Sequence, residues 1–246
     1  MNTLPQSILQ TNAATTTSKN YLMVPTMDIV GELQNRGLSI LSHMETRTRK
    51  PEWQGYQRHR VVMGLDNGNQ EGNPTITIVN SSNGTSALSL SLGYFVKVCS
   101  NGMIASLPAL EANVRHTLNH RDYIKTAIDT LLREIPTVEG SVSKMSHKVI
   151  GTYDQWKMAE YAIGLRFGEK DLPFPVSQLL SGYHLEQQDQ TVWNVFNRIQ
   201  ANIIRGFSYT RQQGRREVTR KTRSVKSLDL DLTLNKQLWE YAESLA

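Results

Sequence analysis

The first half of the chain alternates apolar and polar residues with a period of two. TITIVN at 75–80 alternates Thr with Ile, and ALSLSLGYFVKV at 87–98 alternates Leu with Ser. Such alternation, with β-branched and aromatic residues, is typical of half-buried strands, and the Asn- and Gly-rich segments between them are typical of turns. The pattern predicts an antiparallel sheet of about four strands, at 38–46, 59–65, 75–80 and 87–98.

The second half has helical spacing, with apolar residues three and four positions apart. A short helix is also predicted directly after Pro25, with Thr26 as its cap and Gly37 as its left-handed stop. In the second half the predicted helices are 121–135, 152–168, 190–206 and 234–246.

The fold class expected from these patterns is α+β, with an N-terminal antiparallel sheet, packed helices and a helical C-terminal half. Residues 21–246 are expected to form a single α+β domain, sheet-rich over 21–105 and helix-rich over 106–246. The Ser-, Thr- and Asn-rich segment 1–20 is expected to be a flexible arm.

The positive charge of the chain is concentrated in one internal segment. The 246 residues carry a formal net charge of +5. Residues 198–226 contain nine Arg or Lys and one acid, Glu217, which gives +8, so the remainder of the chain carries −3. A basic cluster on a near-neutral body indicates a polyanionic partner, and nucleic acid fits better than a membrane. Because eight like charges between Arg205 and Lys226 repel one another, we expect a basic internal loop there. Arg198 and Arg205, seven apart on the predicted helix 190–206, fall near one side of it and would extend this basic surface inward from the loop.

A second basic segment, RTRKPEWQGYQRHR at 47–60, lies at the expected tip of a β-hairpin. Its long cationic side chains can contact phosphates, while Trp53 and Tyr56 offer faces on which bases can stack. Stacking of this kind suits single strands, because the bases of a duplex are already stacked. The alternative is a solvated hairpin with Trp53 folded onto the sheet.

The sequence does not resemble that of an enzyme. It has no phosphate-binding loop, dinucleotide fingerprint or nucleophile elbow. His116 and His120 stand four apart, but no Glu or Cys completes a zinc pattern, so no metal is expected. Scattered acids such as Asp28, Glu32 and Asp122 leave a metal-dependent nuclease open as an alternative. Cys99 is the single cysteine, which fits a reducing cytosol and indicates a small buried residue.

Several segments together resemble one protein family. They are the Ser-Asn-Gly at 100–102, the helix motif Trp-Asn-x-x-Asn-x-x-Gln-x-Asn at 193–202 and the Leu-Asn-x-x-Leu-Trp at 234–239. The resemblance is to the phage/plasmid-like proteins, a domain-of-unknown-function family of prophages, phages and conjugative plasmids. It spans about 21–243 and implies a setting of recombination and anti-defence genes. The expected order, sheet then helices with a basic hairpin, is also similar to the single-strand annealing proteins of phages.

The hypothesis from the sequence is single-stranded DNA binding and strand annealing in phage or plasmid recombination or replication, by a homo-oligomer that needs no cofactor. The alternative is a host-takeover or anti-defence protein that binds a bacterial protein through its basic loop. A host or phage recombination protein is a further candidate partner. The predicted nucleic-acid-binding residues are Arg47, Arg49, Lys50, Trp53, Tyr56, Arg58, Arg60, Arg198, Arg205, Arg211, Arg215, Arg216, Arg220, Lys221, Arg223 and Lys226.

Overall fold

The computed structural model describes residues 3–65, 72–96, 101–104, 111–116, 120–168, 174–181, 189–213 and 215–246. The chain separates into two compact units, residues 1–138 and 139–246. Each unit is described by itself, and the single α+β domain expected over 21–246 stays a prediction. Cys99 lies outside the described residues.

The helices and strands follow the expected order, sheet first and helices second. The strands are β1 Ser39–Glu45, β2 His59–Gly64, β3 Asn73–Asn80, β4 Leu88–Val96, β5 Asn101–Ile104, β6 Glu111–Val114, β7 Ser208–Gln213 and β8 Arg216–Lys221. The helices are α1 Gln6–Leu9, α2 Thr26–Gln34, α3 His120–Arg133, α4 Ile135–His147, α5 Thr152–Phe167, α6 Val192–Arg205 and α7 Leu228–Ser244. Short 3₁₀ turns occur at Pro51–Trp53 and Val176–Leu180.

The first unit contains an antiparallel sheet in the order β1-β2-β3-β4-β5, and β6 also pairs with β4. The α+β class and the four predicted strands are confirmed, because each corresponds to one of β1 to β4. The sequence patterns missed β5 and β6, which are only four residues long and too short to show a period.

Helices α2 and α3 lie against this sheet, α2 on β1 and α3 on β4 and β6. The apolar face predicted for α2 is confirmed, since Ile29, Val30 and Leu33 are buried. Gly37 has a φ of 85° and ends the segment as expected. The predicted cap is wrong, because Thr26 is the first residue inside the helix and its hydroxyl bonds to His59 at 2.8 Å.

The N-terminal segment is packed instead of forming a free arm. Ile8 and Ala14 are buried, and the Ala14 amide donates to the Ser82 carbonyl at 2.8 Å. Ser7 donates to the Glu45 carboxylate at 2.8 Å. Because residues 1–20 are mostly polar, their composition does not reveal these few anchoring residues. Two buried apolar side chains and a few hydrogen bonds are enough to order the segment.

The second unit is helical, with α5, α6 and α7 packed against one another. Trp193, Phe196 and Trp239 form its aromatic centre, with Trp239 edge-on to both neighbours at about 6 Å. The sequence patterns missed helix α4, because Pro136 directly follows the predicted helix 121–135 and a proline commonly ends a helix. Pro136 occupies the second position of α4, within the first turn, where a missing N–H costs nothing.

Most polar residues of the family motif, Asn197, Gln200, Asn202 and Asn235, are buried in this unit. Gln200 donates to Asn235 at 2.7 Å and so joins α6 to α7. Asn202 donates to the carbonyls of Leu179 and Ser181, at 2.8 and 3.0 Å. Buried amides must be hydrogen-bonded, so these residues fix how α6 packs. The motif is therefore structural.

Candidate nucleic-acid interface

The segment 205–226 forms a two-stranded hairpin, which corrects the expectation of a basic loop. β7 and β8 pair antiparallel from Ser208 opposite Lys221 to Gln213 opposite Arg216. Nearly every side chain of these strands is exposed. Backbone pairing in a hairpin spaces side chains regularly, so like charges are held apart instead of unfolding the segment.

The hairpin has one cationic face and one neutral face. Residues directly opposite each other in an antiparallel pair project to the same side, and neighbours along a strand project to opposite sides. Three arginines therefore share one side with no acid, whereas Glu217 and Lys221 share the other side with threonines. The cationic face consists of Tyr209, Arg211, Gln213, Arg216, Val218 and Arg220.

The arginines of the cationic face are available to a ligand. Arg211, Arg216 and Arg220 are exposed, and within the described part of the chain no carboxylate pairs with them. Arg215 is exposed in the turn, and Arg223 and Lys226 are exposed beyond β8. A row of guanidinium groups along a β-ribbon is able to bind phosphates.

Close packing fixes the base of the hairpin. Gly206 has a φ of 79°, and a Cβ on it would lie 2.4 Å from the Thr222 carbonyl oxygen. The Phe207 amide donates to the Thr222 hydroxyl at 2.9 Å. Arg166 donates to the carbonyls of Ile203, which precedes the hairpin in sequence, and Arg223, which follows it. Burial lowers the pKa of the Arg166 guanidinium. The hairpin is thus anchored to α5 and α6.

An aromatic cluster joins this base to the end of α5. The Phe174 ring lies 4.8 Å from Phe207 and 5.2 Å from Tyr209, and 5.6 Å from Phe167, the last residue of α5. Because Tyr209 belongs to the cationic face, the cluster leads from that face to α5.

The other basic segment is residues 46–60, the connection between β1 and β2 together with the first two residues of β2, called the β1–β2 connection below. The predicted hairpin is confirmed, since β1 pairs with β2. Arg47, Arg49 and Lys50 are exposed. Arg58 and the β2 residue Arg60 are half-buried and take part in interactions within the protein.

The aromatic residues of this connection are less available than expected. Lys50 places its Nζ 3.8 Å from the centre of the Trp53 ring. The indole Nε1 donates to Thr16 at 3.3 Å, and both Trp53 and Tyr56 are half-buried. A cation on the ring face occupies the position that a base would need. The structure therefore favours the alternative, with Trp53 folded onto the protein.

His59, at the edge of the same segment, is fully buried and faces no phosphate. The Gln57 carbonyl accepts from its Nδ1 at 3.0 Å, so Nε2 accepts from Thr26 at 2.8 Å. Asn80 in turn donates to Thr26 at 3.0 Å. Burial lowers the pKa of His59, which keeps this chain of hydrogen bonds neutral.

Arg198 is not a surface residue, which corrects its place among the predicted contacts. It is 6% exposed and donates to the carbonyls of Leu180 and Asp189 at 3.1 and 3.4 Å. Burial lowers the pKa of this guanidinium. Helical spacing showed that Arg198 and Arg205 lie near one side of α6, but α6 is buried on nearly every side. Arg205 is half-buried at the helix end.

Sequence reasoning missed two exposed aromatic residues on α5. Tyr153 is 72% exposed and Trp156 is 38% exposed. The Trp156 indole donates to Glu160 at 2.9 Å, and Lys157 holds the other oxygen of that carboxylate at 2.9 Å. The pKa of Glu160 is lowered by these hydrogen bonds, from Lys157 first and then Trp156. The sequence predicted the helix, but not which side of it is exposed, because that depends on how α6 and α7 pack against α5.

Three acids that are dispersed in the sequence line one cavity of the first unit. Asp28 and Glu32 of α2 face Asp122 and Lys125 of α3 across a cavity of about 520 Å³. Glu32 is paired with Arg36, which also binds Asp129 at 2.7 Å. Across the residues that the structure describes, no three His, Cys, Asp or Glu side chains are grouped to hold a metal ion. The nuclease alternative stays a prediction.

A search of the described helices finds none that combines the length and the apolar character needed to cross a bilayer.

Comparison with known proteins agrees with the family expected from the sequence motifs. The family described as "Domain of unknown function (DUF932)" matches residues 14–239. Two relatives from Escherichia coli (strain K12), the UPF0380 proteins YfjQ and YafZ, are each 30% identical over 232 residues. Each match covers 93% of this chain and 83% of the relative. No solved structure matches significantly, so the similarity to single-strand annealing proteins stays a prediction.

Proposed function

This chain belongs to the DUF932 family, and from its own surface we propose that it binds single-stranded nucleic acid, DNA in particular, through the cationic face of the β7–β8 hairpin. The observation that carries the proposal is the placement of Arg211, Arg216 and Arg220 on one face from which the acid of the hairpin is absent. Contacts to phosphates are blind to base sequence and release counterions, so binding should depend strongly on salt.

Strand annealing is the activity we propose for this surface. Annealing needs neutralised phosphates and bases left open for pairing, and it needs no cofactor. An open ribbon that contacts only the backbone of a strand leaves its base edges accessible. Three arginines give a small footprint, so we propose that several copies assemble and act on one strand together, which raises the overall affinity.

The preference for single strands and the annealing itself are tested directly. We expect labelled single strands to bind tighter than duplex of the same length in anisotropy titrations, with a log–log salt slope of about −2 or steeper for three phosphates. Complementary labelled strands should pair faster with the protein than without it, and light scattering should show discrete assemblies when the strand is added. Equal affinity for duplex together with unaccelerated pairing would contradict the proposal.

The face assignment has its own matched control in two consecutive residues. Arg220→Gln removes a cation from the cationic face, whereas Lys221→Gln removes the same charge from the neutral face. We expect Arg220→Gln to weaken strand binding several-fold and Lys221→Gln to change it less than twofold. Equal losses would show that only net charge matters. A host protein that is captured in stoichiometric amount, survives nuclease treatment and competes with the strand would favour the host-takeover alternative.

A further inference from the structure

The outer side of α5 carries a stripe of five exposed residues that ends at the half-buried Phe167, near the base of the hairpin. With about 3.6 residues per turn, Trp156 and Phe167 are eleven residues apart and point within about 20° of each other. The members of this α5 stripe are Tyr153, Trp156, Lys157, Glu160, Gly164 and Phe167. All of them fall within a sector of about 100°.

The stripe meets the cationic face through one buried ring, that of Phe174. Phe167 contacts Phe174, and Phe174 contacts Tyr209, which lies on the cationic face beside Arg211. From Phe167 to Trp156 the helix rises about 16 Å. From Tyr209 to Gln213 the strand rises about 13 Å. With the ring separations of 5.6 and 5.2 Å through Phe174 between them, the two segments give a contour of at most about 40 Å, the length of about twelve stacked nucleotides.

Both ends of this path have the chemistry that a single strand requires. Arginines for phosphates lie at the hairpin end, and Tyr153 and Trp156 lie at the other. Trp156 is held by its bond to Glu160, and the Glu160 carboxylate is neutralised by Lys157. The Lys157 Nζ also lies over the Tyr153 ring, but at 5.7 Å from its centre it is farther away than Lys50 is from Trp53, at 3.8 Å. A fixed aromatic ring loses little conformational entropy when a base stacks on it. Gly164, midway along the stripe, has no atom within 4 Å of a Cβ position, so the path is unobstructed there.

We propose that single-stranded nucleic acid runs from the cationic face along the α5 stripe and that Tyr153 and Trp156 stack on its bases. This inference rests on the proposed function and adds a second, stacking subsite to it. The subsite takes unpaired bases of any identity, because every base has a π face. It also explains how an exposed indole and phenol occur together on the surface of a helix beside a basic hairpin.

The first test separates stacking from charge. Tyr153→Ala combined with Trp156→Ala should lower the affinity for a 12-nucleotide strand about fivefold or more. The salt slope should stay at the wild-type value, because no phosphate contact is lost. Trp156→Phe should keep the affinity within about twofold, while Trp156→Leu, which is apolar without a π face, should not. A four-nucleotide strand, too short to reach Trp156 from the hairpin arginines, should bind the double variant as well as the wild type.

The second test uses two glycines with equally open surroundings. Gly164→Glu puts a carboxylate into the α5 stripe and should weaken binding of the 12-nucleotide strand several-fold. Gly140→Glu puts the same group on α4, where a Cβ also meets nothing within 4 Å, and should leave binding unchanged. Melting temperatures confirm that both variants are folded.

The outcomes distinguish this inference from the proposed function. If the α5 variants bind like the wild type while Arg211→Gln with Arg216→Gln and Arg220→Gln weakens binding, the stacking path is overturned and the hairpin interface stands. If the wild type shows no affinity for single strands, both fail together. Loss in the α5 variants at constant salt slope supports the path.

Discussion

The β7–β8 hairpin and the β1–β2 connection both combine basic and aromatic residues, and the two segments arrange them in different ways. In the hairpin, strand alternation places Arg211, Arg216 and Arg220 on one exposed side. In the connection, Lys50 lies on the Trp53 ring and His59 is buried. Basic and aromatic residues can thus either remain available to a ligand or contribute to the stability of the fold. They remain available where strand pairing leaves their side chains exposed, without partners inside the protein.

The largest effect is expected from breaking the base of the hairpin. Gly206→Ala brings a Cβ to 2.4 Å from the Thr222 carbonyl oxygen at a positive φ, so the hairpin cannot keep its register. We expect a loss of about 3 kcal/mol or more in the free energy of unfolding and loss of strand binding. Gly164→Ala is the control and should stabilise α5 by up to about 1 kcal/mol. Wild-type melting and binding for Gly206→Ala would contradict this account.

An intermediate effect is expected from a change in the β1–β2 connection, where stability should fall and strand binding should not. Trp53→Ala removes the contact with Lys50 and the bond to Thr16, at a cost of about 1–2 kcal/mol in stability. The melting temperature should fall by about 2–8 °C while the affinity for a single strand stays unchanged. Lys50→Gln should reproduce a smaller part of the same stability loss. If Trp53→Ala weakens binding at unchanged stability, the two segments do not differ as described.

A smaller effect concerns pH and again belongs to the β1–β2 connection. Because burial lowers the pKa of His59, the folded protein binds fewer protons than the unfolded chain as the pH falls below the ordinary value of about 6.5. Stability should therefore fall between pH 7 and pH 5, measured by thermal melting at constant ionic strength. His59→Gln should be less stable at pH 7 and show a flatter pH profile. An unchanged slope in that variant would assign the pH dependence to other groups.

Hydrophobic periodicity correctly predicted most of the long strands and helices, and it failed for elements whose formation depends on tertiary packing. Each of the four predicted strands has its counterpart, because one apolar face such as Leu88, Leu90 and Leu92 fixes both type and register. The hairpin was missed because its alternation is between two kinds of polar residue. Thr210, Val218 and Thr219 favour a strand, and they were the available signal.

The site was only partly predictable for a related reason. The sequence showed which segments are rich in basic residues, but not which of those residues are buried. Arg198 was chosen by spacing and is buried by the helices around α6, whereas Trp156 was overlooked and is exposed. Both outcomes depend on which side of a helix its neighbours cover, and one helix considered alone does not contain that information.

The central claim is that the cationic face, and not net charge, binds the strand, and two charge-matched variants test it most directly. One carries Arg211→Gln, Arg216→Gln and Arg220→Gln, and the other Arg47→Gln, Arg49→Gln and Lys50→Gln. Each loses three exposed cations. Measured with a 12-nucleotide single strand across a salt series, the hairpin variant should lose at least tenfold in affinity. Its log–log salt slope should become shallower by about 2, and the other variant should stay within about threefold of the wild type. Equal losses in both variants would contradict the account.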